Sequence, residues 1–446
     1  MLNKKFGTLL ASSALMLAAC GGDDASTNNR ANNGANNGAV SCNGDICQVT
    51  GELLEDTTFT ADKEWVLNGG VFVGNDTDRT VLTIEPGTNI YGSSASLSFL
   101  AVRRGSALEA TGTADMPIVF SSAQEVGSRA RGDWGGLIIN GKAPINSCST
   151  GVCEAEGEGG TGKYGGDDPT DSSGTLKYVR VEFAGALITS DNELNGIAFQ
   201  GVGSGTTIDY LQVHMNKDDG IEFFGGTANV KHVVLTGIGD DGLDWTDGWQ
   251  GKAQFVVAQQ YSDNGDQGIE ADNNGDNNTA SPRSKPTLSN ITLIGVPGGE
   301  GSDVGVLLRE GTGANIHNVI IDGFNDGCLQ IDGQETYVHA FDDPALSGEL
   351  SMVNSLANCD TLYLENDDAS FTAPFTVEDF FLTLNTGNQA VDSMLTNPRP
   401  AMGAPDYRPE TGSPALGAGS TPADSFFESV DHIGAFGTED WTAGWT

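Results

Sequence analysis

The sequence predicts an all-β fold, a right-handed single-stranded parallel β-helix (a solenoid) with loop insertions, preceded by a disordered tether. Three observations predict it. Glycines recur at a coil-like interval with alternating apolar residues behind them. Short β-branched runs are divided by Gly, Asn and Asp, and 62 glycines against 15 prolines mark a turn-dense chain. No convincing long amphipathic helix interrupts the pattern.

The repeat is read by aligning Gly196, Gly220, Gly242, Gly268, Gly305 and Gly327, which are 24, 22, 26, 37 and 22 residues apart. After them stand Ile197, Ile221, Leu243, Ile269, Val306 and Cys328, an apolar column. Two positions further stand Phe199, Phe223, Trp245, Ala271, Leu308 and Gln330, again mostly apolar, while the residue between varies. Alternation within a strand, repeated once per turn of the chain, lets stacked coils bury a face that one coil cannot bury alone. A second strand family follows at 208–215, 230–238, 253–261, 288–296 and 316–324. Two insertions are expected, a Gly-rich acidic one over 146–173 and an Asn/Asp/Ser-rich one over 272–289.

Upstream of the solenoid, Lys4 and Lys5 precede an apolar stretch from Phe6 to Met16. Leu17, Ala18, Ala19 and Cys20 then read as a lipoprotein cleavage site, so residues 1–19 are expected to be a signal peptide and Cys20 the lipidated residue. Two or more acyl chains on that thiol would anchor the protein stably to a membrane. Gly21 after the cysteine resembles outer-membrane sorting, with the periplasmic or extracellular face left open. Residues 20–41, rich in Asn and Gly, have almost nothing to bury and read as a flexible tether. The β-helix domain is expected over 42–446.

The formal charge is −40, and loss of Lys4 and Lys5 with the signal peptide would take it to −42. Such a balance argues against nucleic acid as a partner, because phosphates are drawn to Lys and Arg. It suits a solvated extracellular surface or the binding of Ca²⁺. Of seven cysteines, six remain after lipidation. Cys42 with Cys47 and Cys148 with Cys153 can each close a small loop, and Cys328 with Cys359 can bridge neighbouring coils. The five histidines are scattered and no paired C-x-x-C motifs occur, so three disulfides are favoured over a metal site built on sulfur.

Several segments carry a family resemblance. Residues 81–88 (VLTIEPGT), 105–113 (GSALEATGT) and 117–120 (PIVF) resemble the opening coils of bacterial right-handed β-helices. Residues 133–141 (DWGGLIING) and 440–446 (DWTAGWT) resemble β-helical lipoproteins of the pectate-lyase-like superfamily. The resemblance covers nearly all of residues 60–446. It implies the fold, and it leaves activity open, because β-helices host lyases, hydrolases, adhesins and binding proteins alike.

The same alignment exposes acidic columns. Asp218, Asp240, Asp266 and Asp303 stand two positions before the glycines, Asp219 and Asp241 immediately before them, and Glu222, Asp244 and Glu270 two positions after. Coils lie about 4.8 Å apart. Two like charges at about 5 Å repel by roughly 3 kcal/mol at an effective dielectric of 20. Three readings are open. These are turn residues bonding the local backbone; or Asp218, Asp219, Glu222, Asp240, Asp241, Asp244, Asp266 and Glu270 ligate Ca²⁺; or paired carboxylates act on a polysaccharide.

For catalysis, Asn216–Gly220 followed by Gly239–Gly242 is similar to the three-aspartate pattern of β-helical polygalacturonases, implying Asp219, Asp240 and Asp241 as the trio. The later Gly-His-Gly and Arg-x-Lys elements of that family are missing. Leu307–Gly311 resembles the arginine strand of β-helical alginate and chondroitin lyases, which implies Arg309 as a catalytic cation; a plain ion pair with Glu310 is the simpler account. Lys217, Arg283 and Lys285 are further basic residues of the central coils. Trp249 lies beyond its strand, where an exposed ring would stack on a sugar face; packing under the next turn is the alternative. The function expected is a cell-envelope lipoprotein presenting an acidic β-helix for binding of Ca²⁺ and a glycan or envelope partner. A polysaccharide-degrading enzyme using the Asp218–Glu270 coils, and an adhesin or accessory protein to an outer-membrane transporter, are the alternatives.

Overall fold

The computed structural model describes residues 39–446 apart from 149–150, 190–191 and 368–369. Cys20 and the segment 1–19 lie outside the described residues, as does most of the tether. The rest is a right-handed parallel β-helix in which 26 strands join one continuous sheet. No described helix is long and apolar enough to cross a membrane.

Each central coil contributes one short strand and one long bent strand. The short strands Leu137–Asn140, Ile197–Gln200, Ile221–Phe224, Leu243–Thr246, Ile269–Ala271 and Val304–Leu308 stack in parallel register. Ile197, Ile221, Leu243, Ile269 and Val306 form one interior file, and Phe199, Phe223, Trp245, Ala271 and Leu308 the next. All of them are 1% exposed or less, so the alternation read from sequence is the core.

The glycine column has a steric cause. A Cβ on Gly220, Gly242 or Gly268 would lie 2.6 Å from the carbonyl oxygen of the corresponding glycine in the next coil. Coils can close to hydrogen-bonding distance at this corner only where the side chain is missing. The expected column ends one residue out of register. Gly305 stacks on Cys328, and Val306 pairs with Leu329, so Gly327 stands one position early and Gln330 points outward beside Leu307. The buried partner of Leu308 is Ile331.

The long strands Gly174–Glu182, Thr207–His214, Asn229–Thr236, Lys252–Gln259, Thr287–Ile294 and Ala314–Asp322 each bend once. The bend is a left-handed residue, at Tyr178, Tyr210, His232, Phe255, Asn290 and Asn318, with φ between 51° and 60°. Such a conformation costs of order 1–3 kcal/mol in a residue with a side chain. Stacking offsets it: Tyr178 on Tyr210 at 4.3 Å, Tyr210 on His232 at 4.2 Å, His232 on Phe255 at 5.0 Å. The asparagines that follow hydrogen-bond instead to the returning C-terminal segment.

That segment leaves the last coil after Gln389–Ala390 and runs back across the bent strands. Arg399 donates to Asp322 (2.9 Å), Tyr407 to Gln259 (2.5 Å), and Lys252 pairs with Asp424 (2.6 Å). Trp445 finally meets the edges of Tyr178 and Tyr210. Disulfides join Cys42 to Cys47, Cys148 to Cys153 and Cys328 to Cys359, as the spacing suggested.

Trp249 is part of this core. It is 0% exposed, stacks on Phe223 at 4.1 Å, and its Nε1 donates to the Ala228 carbonyl. The expectation that it offers a sugar-stacking face is therefore corrected. Trp249→Ala should destabilise the protein by about 3–5 kcal/mol in a chemical melt, leaving ligand binding by the folded fraction unchanged. Gly242→Ala should cost about 1–3 kcal/mol through the forced shift of the next coil; an unaltered melting temperature would refute the steric account of the glycine column.

Candidate metal and ligand site

The outward residue of the short strands changes character along the solenoid. In the early coils it is Ala101, Ile138 and Ala198, which form a small apolar cluster with Phe99 and Leu194. In the next three coils it is Glu222, Asp244 and Glu270, directly in register. It then returns to Leu307. Beside this strand file lies the corner file, with Asp219 and Asp241 next to the stacked glycines and Asp218, Asp240 and Asp266 one position further out.

Asp219 and Asp241 have a backbone role. Asp219 Oδ1 accepts from the Asp241 N–H at 3.0 Å, and Asp241 Oδ1 accepts from the Gln267 N–H at 2.6 Å. Gln267 continues the ladder by accepting from the Val304 N–H at 3.2 Å. The turn-residue reading thus describes one oxygen of each aspartate. It does not explain why Asp244 has a buried Oδ1 with no hydrogen-bond partner, or why so many carboxylates converge.

They converge in four overlapping triads, each with oxygens within 4.8 Å of one another. Two lie on the partly exposed rim: Asp218, Asp219 and Asp240, then Asp240, Asp241 and Asp266. Two lie deeper: Asp219, Glu222 and Asp244, then Asp241, Asp244 and Glu270. All eight residues expected as ligands are brought together. Of the trio suggested by the polygalacturonase pattern, Asp240 shares one triad with Asp219 and another with Asp241.

The electrostatics follow from burial. Asp219, Asp241 and Asp244 are 8% exposed or less, and loss of water pushes their carboxyls well above the ordinary range, with neighbouring carboxylates adding to the shift. Glu222 shifts the same way and for the same first reason. Burial, then Glu193 and Asp240, push Asp218 up to about 8. Burial raises Glu270 to about 7 although Arg309 opposes it. Asp240 and Asp266, on the rim, are raised by partial burial and by their acidic neighbours.

Among the described residues, cations stand only near the ends of this array. Arg309 reaches back one coil, donating Nη2 to Glu270 at 2.8 Å and Nε to Asp272 at 2.9 Å. The expected pairing with Glu310 is corrected: the Asp272 N–H donates to the Trp245 carbonyl and the Arg309 N–H to the Ala271 carbonyl, so Asp272 and Arg309 follow the stacked strand ends and meet across the coils. Lys217 pairs with Glu193 at 2.8 Å. Lys285 is engaged elsewhere, with Glu349.

The two insertions and a short hairpin frame the site. Leu187–Thr189 pairs with Asn192–Glu193, and the Glu158–Gly160 turn of the first insertion packs on it, a Cβ on Gly159 meeting Ile188. Glu158 is raised to about 7 by burial, and its charge in turn raises Asp218 and Glu222. Asn195 donates Nδ2 to Glu222 Oε2 at 2.5 Å. The two insertions are pinned together by Asn146 donating to Asn273 Oδ1 (2.9 Å) and Asn274 to Asn146 Oδ1 (3.1 Å). Glu158, Glu193, Asn195 and Asp272 escaped the sequence reading. Asn195 alone carried a signal, since it precedes Gly196 as Asp219 precedes Gly220.

Comparison with known proteins addresses the fold. A search of curated proteins finds no match to the chain. A solved structure described as the crystal structure of pectate lyase Pel9A is similar at 15% identity, covering 85% of this chain and 89% of that one, with a TM-score of 0.36. The family model for the pectate-lyase like beta helix domain matches residues 51–446. With coil after coil stacked in parallel register over that span, the chain belongs to the pectate-lyase-like β-helix family.

Proposed function

We propose that this protein is a lipid-anchored envelope protein that binds Ca²⁺ on its acidic ladder and, through the bound cation, an anionic glycan. The observation that carries the reading is the four overlapping carboxylate triads, largely buried and faced by Arg309 at one end. Ca²⁺ takes six to eight oxygens at 2.3–2.6 Å in flexible geometry, and successive coils supply carboxylate oxygens at that density. Without a cation these groups must hold protons or repel. A bound cation that keeps an open side toward solvent would attract the carboxylates or sulfates of a glycan, with Arg309 and Lys217 near the two ends of the array as further anchors. The net charge of −40 argues against a nucleic-acid or anionic-bilayer ligand. Lipidation at Cys20 would place the ladder at the outer membrane, where such glycans are met.

One observation favours an enzymatic reading of the same site. Glu270, with a carboxyl near 7, sits 2.8 Å from a fixed guanidinium, the pairing that acid–base chemistry on a charged sugar requires. Asp219 and Asp241 suit a proton-transfer role less well, because each has an oxygen committed to a backbone N–H. A panel of anionic polysaccharides assayed for new reducing ends or unsaturated uronates separates the readings: either product establishes an enzyme, while calcium-dependent retention without product establishes a binder.

Two outcomes are expected in thermal melts. Added Ca²⁺ should stabilise the wild-type protein, by about 2.7 kcal/mol at a hundredfold excess over the dissociation constant. Asp241→Asn, which keeps an oxygen for the Gln267 N–H while removing the charge, should blunt that shift; no shift in either protein refutes the calcium reading. The second outcome concerns pH. Glu270 and Asp218 have folded-state values near 7 and 8, above their ordinary 4.5 and 3.8. The folded state therefore holds protons that the unfolded chain releases, so this contribution to stability is full below about pH 4 and is lost as pH rises through 7 to 8. In chelator, stability should decline between pH 5 and 8, and Ca²⁺ should reduce the decline. A chelated protein whose melting temperature stays flat or climbs across that window would contradict the burial of these carboxyls.

A further inference from the structure

We infer that the deep file of the ladder holds two divalent cations side by side, bridged by Asp244, rather than one. The inference rests on the calcium reading above and specifies its stoichiometry and architecture. Asp244 is the one residue common to both deep triads, standing with Asp219 and Glu222 on one side and with Asp241 and Glu270 on the other. The two groups are one coil apart, and the coil repeat of about 4.8 Å sets the distance between their centres. A carboxylate has two oxygens and can give one to each ion.

Two further features point to ligands here. Asp244 is 8% exposed, and its Oδ1 is buried with no hydrogen-bond partner. Asn195, 2% exposed, donates Nδ2 to Glu222 while its own Oδ1 is also buried and unpartnered, which adds a neutral oxygen donor beside the first triad. Polar atoms in such positions go unsatisfied at a cost that a bound cation removes. Asp219 and Asp241 each keep Oδ2 free after Oδ1 has capped the next coil.

Charge points the same way. The file contains Asp219, Glu222, Asp241, Asp244 and Glu270, and Asp272 shares Arg309 with the last of them. Six carboxylates and one guanidinium leave five negative charges. One divalent ion leaves three in a place from which water is largely excluded, whereas two leave one. The rim triads differ, because Asp218, Asp240 and Asp266 keep access to water, which screens them without an ion.

Counting ions tests the proposal. Full-length protein is dialysed to equilibrium against Ca²⁺ and the bound metal measured by atomic emission, with circular dichroism confirming that each apo variant is folded. Wild type should bind two ions. Glu222→Gln and Glu270→Gln should each bind one, and Asp244→Asn should bind neither at a concentration that saturates wild type. Glutamine and asparagine conserve shape while removing repulsion, so Glu222→Gln and Asp244→Asn should melt no lower than wild type in chelator. One ion in wild type, or two ions of which Asp244→Asn removes only one, would overturn the bridged pair while leaving calcium binding in place. Two ions untouched by all three substitutions would move them to the rim and overturn it equally. No ion bound by wild type would overturn the calcium reading and the pair together.

Discussion

The close stacking of one coil on the next, at the corner where glycine carbonyl oxygens lie 2.6 Å from where a Cβ would be, is the constraint on which the remaining structure depends. It brings Asp219 close enough for Oδ1 to reach the next backbone N–H, and Asp241 likewise. It also holds Glu222, Asp244 and Glu270 in strict register. A wider or slipped corner would let each carboxylate find its own water. The geometry that makes the solenoid regular therefore makes its acidic face costly, and the protein tolerates that cost over three coils flanked by apolar outward residues on both sides.

A cost of that kind, confined to one patch, is how binding sites are recognised in physical terms. Elsewhere the chain follows local rules. Apolar residues alternate inward, left-handed bends carry stacking rings or hydrogen-bonded asparagines, and ion pairs such as Arg408 with Asp406 sit at the surface. Among the described residues, it is along the ladder that the rules conflict and that buried carboxyls rise well above their ordinary range together.

Much of this is legible in the sequence. The glycine interval and the alternation after it carry the fold, because a solenoid turns sequence period into spatial neighbourhood. The eight clustered carboxylates were legible for the same reason. What failed to show lies off the period. Glu158 and Glu193 come from an insertion and a hairpin whose positions no repeat dictates. Sequence adjacency points Arg309 to Glu310, but both lie past the end of the Val304–Leu308 strand, where Glu310 turns with a φ of 53°, and the partners of Arg309 are found one coil away. Trp249 stands outside the strand pattern yet lies in the core, since the chain turns inward over Phe223. The slip at Gly327 shows the limit of a glycine marker: Cys328 takes its place in the stack, at the start of the disulfide to Cys359.

The returning C-terminal segment has a consequence for assembly. Solenoids ordinarily behave as one-dimensional arrays, in which a coil needs only its immediate neighbours and folding spreads from any nucleus. Here the final tryptophan rests on Tyr178 and Tyr210, from coils that leave the ribosome long before it, and the segment between is tied to the intervening coils on the way. The array is thereby laced along its length. Early coils wait for the end of the chain to complete their outer surface, and a protein whose parts could unravel separately is drawn toward behaving as a single cooperative body.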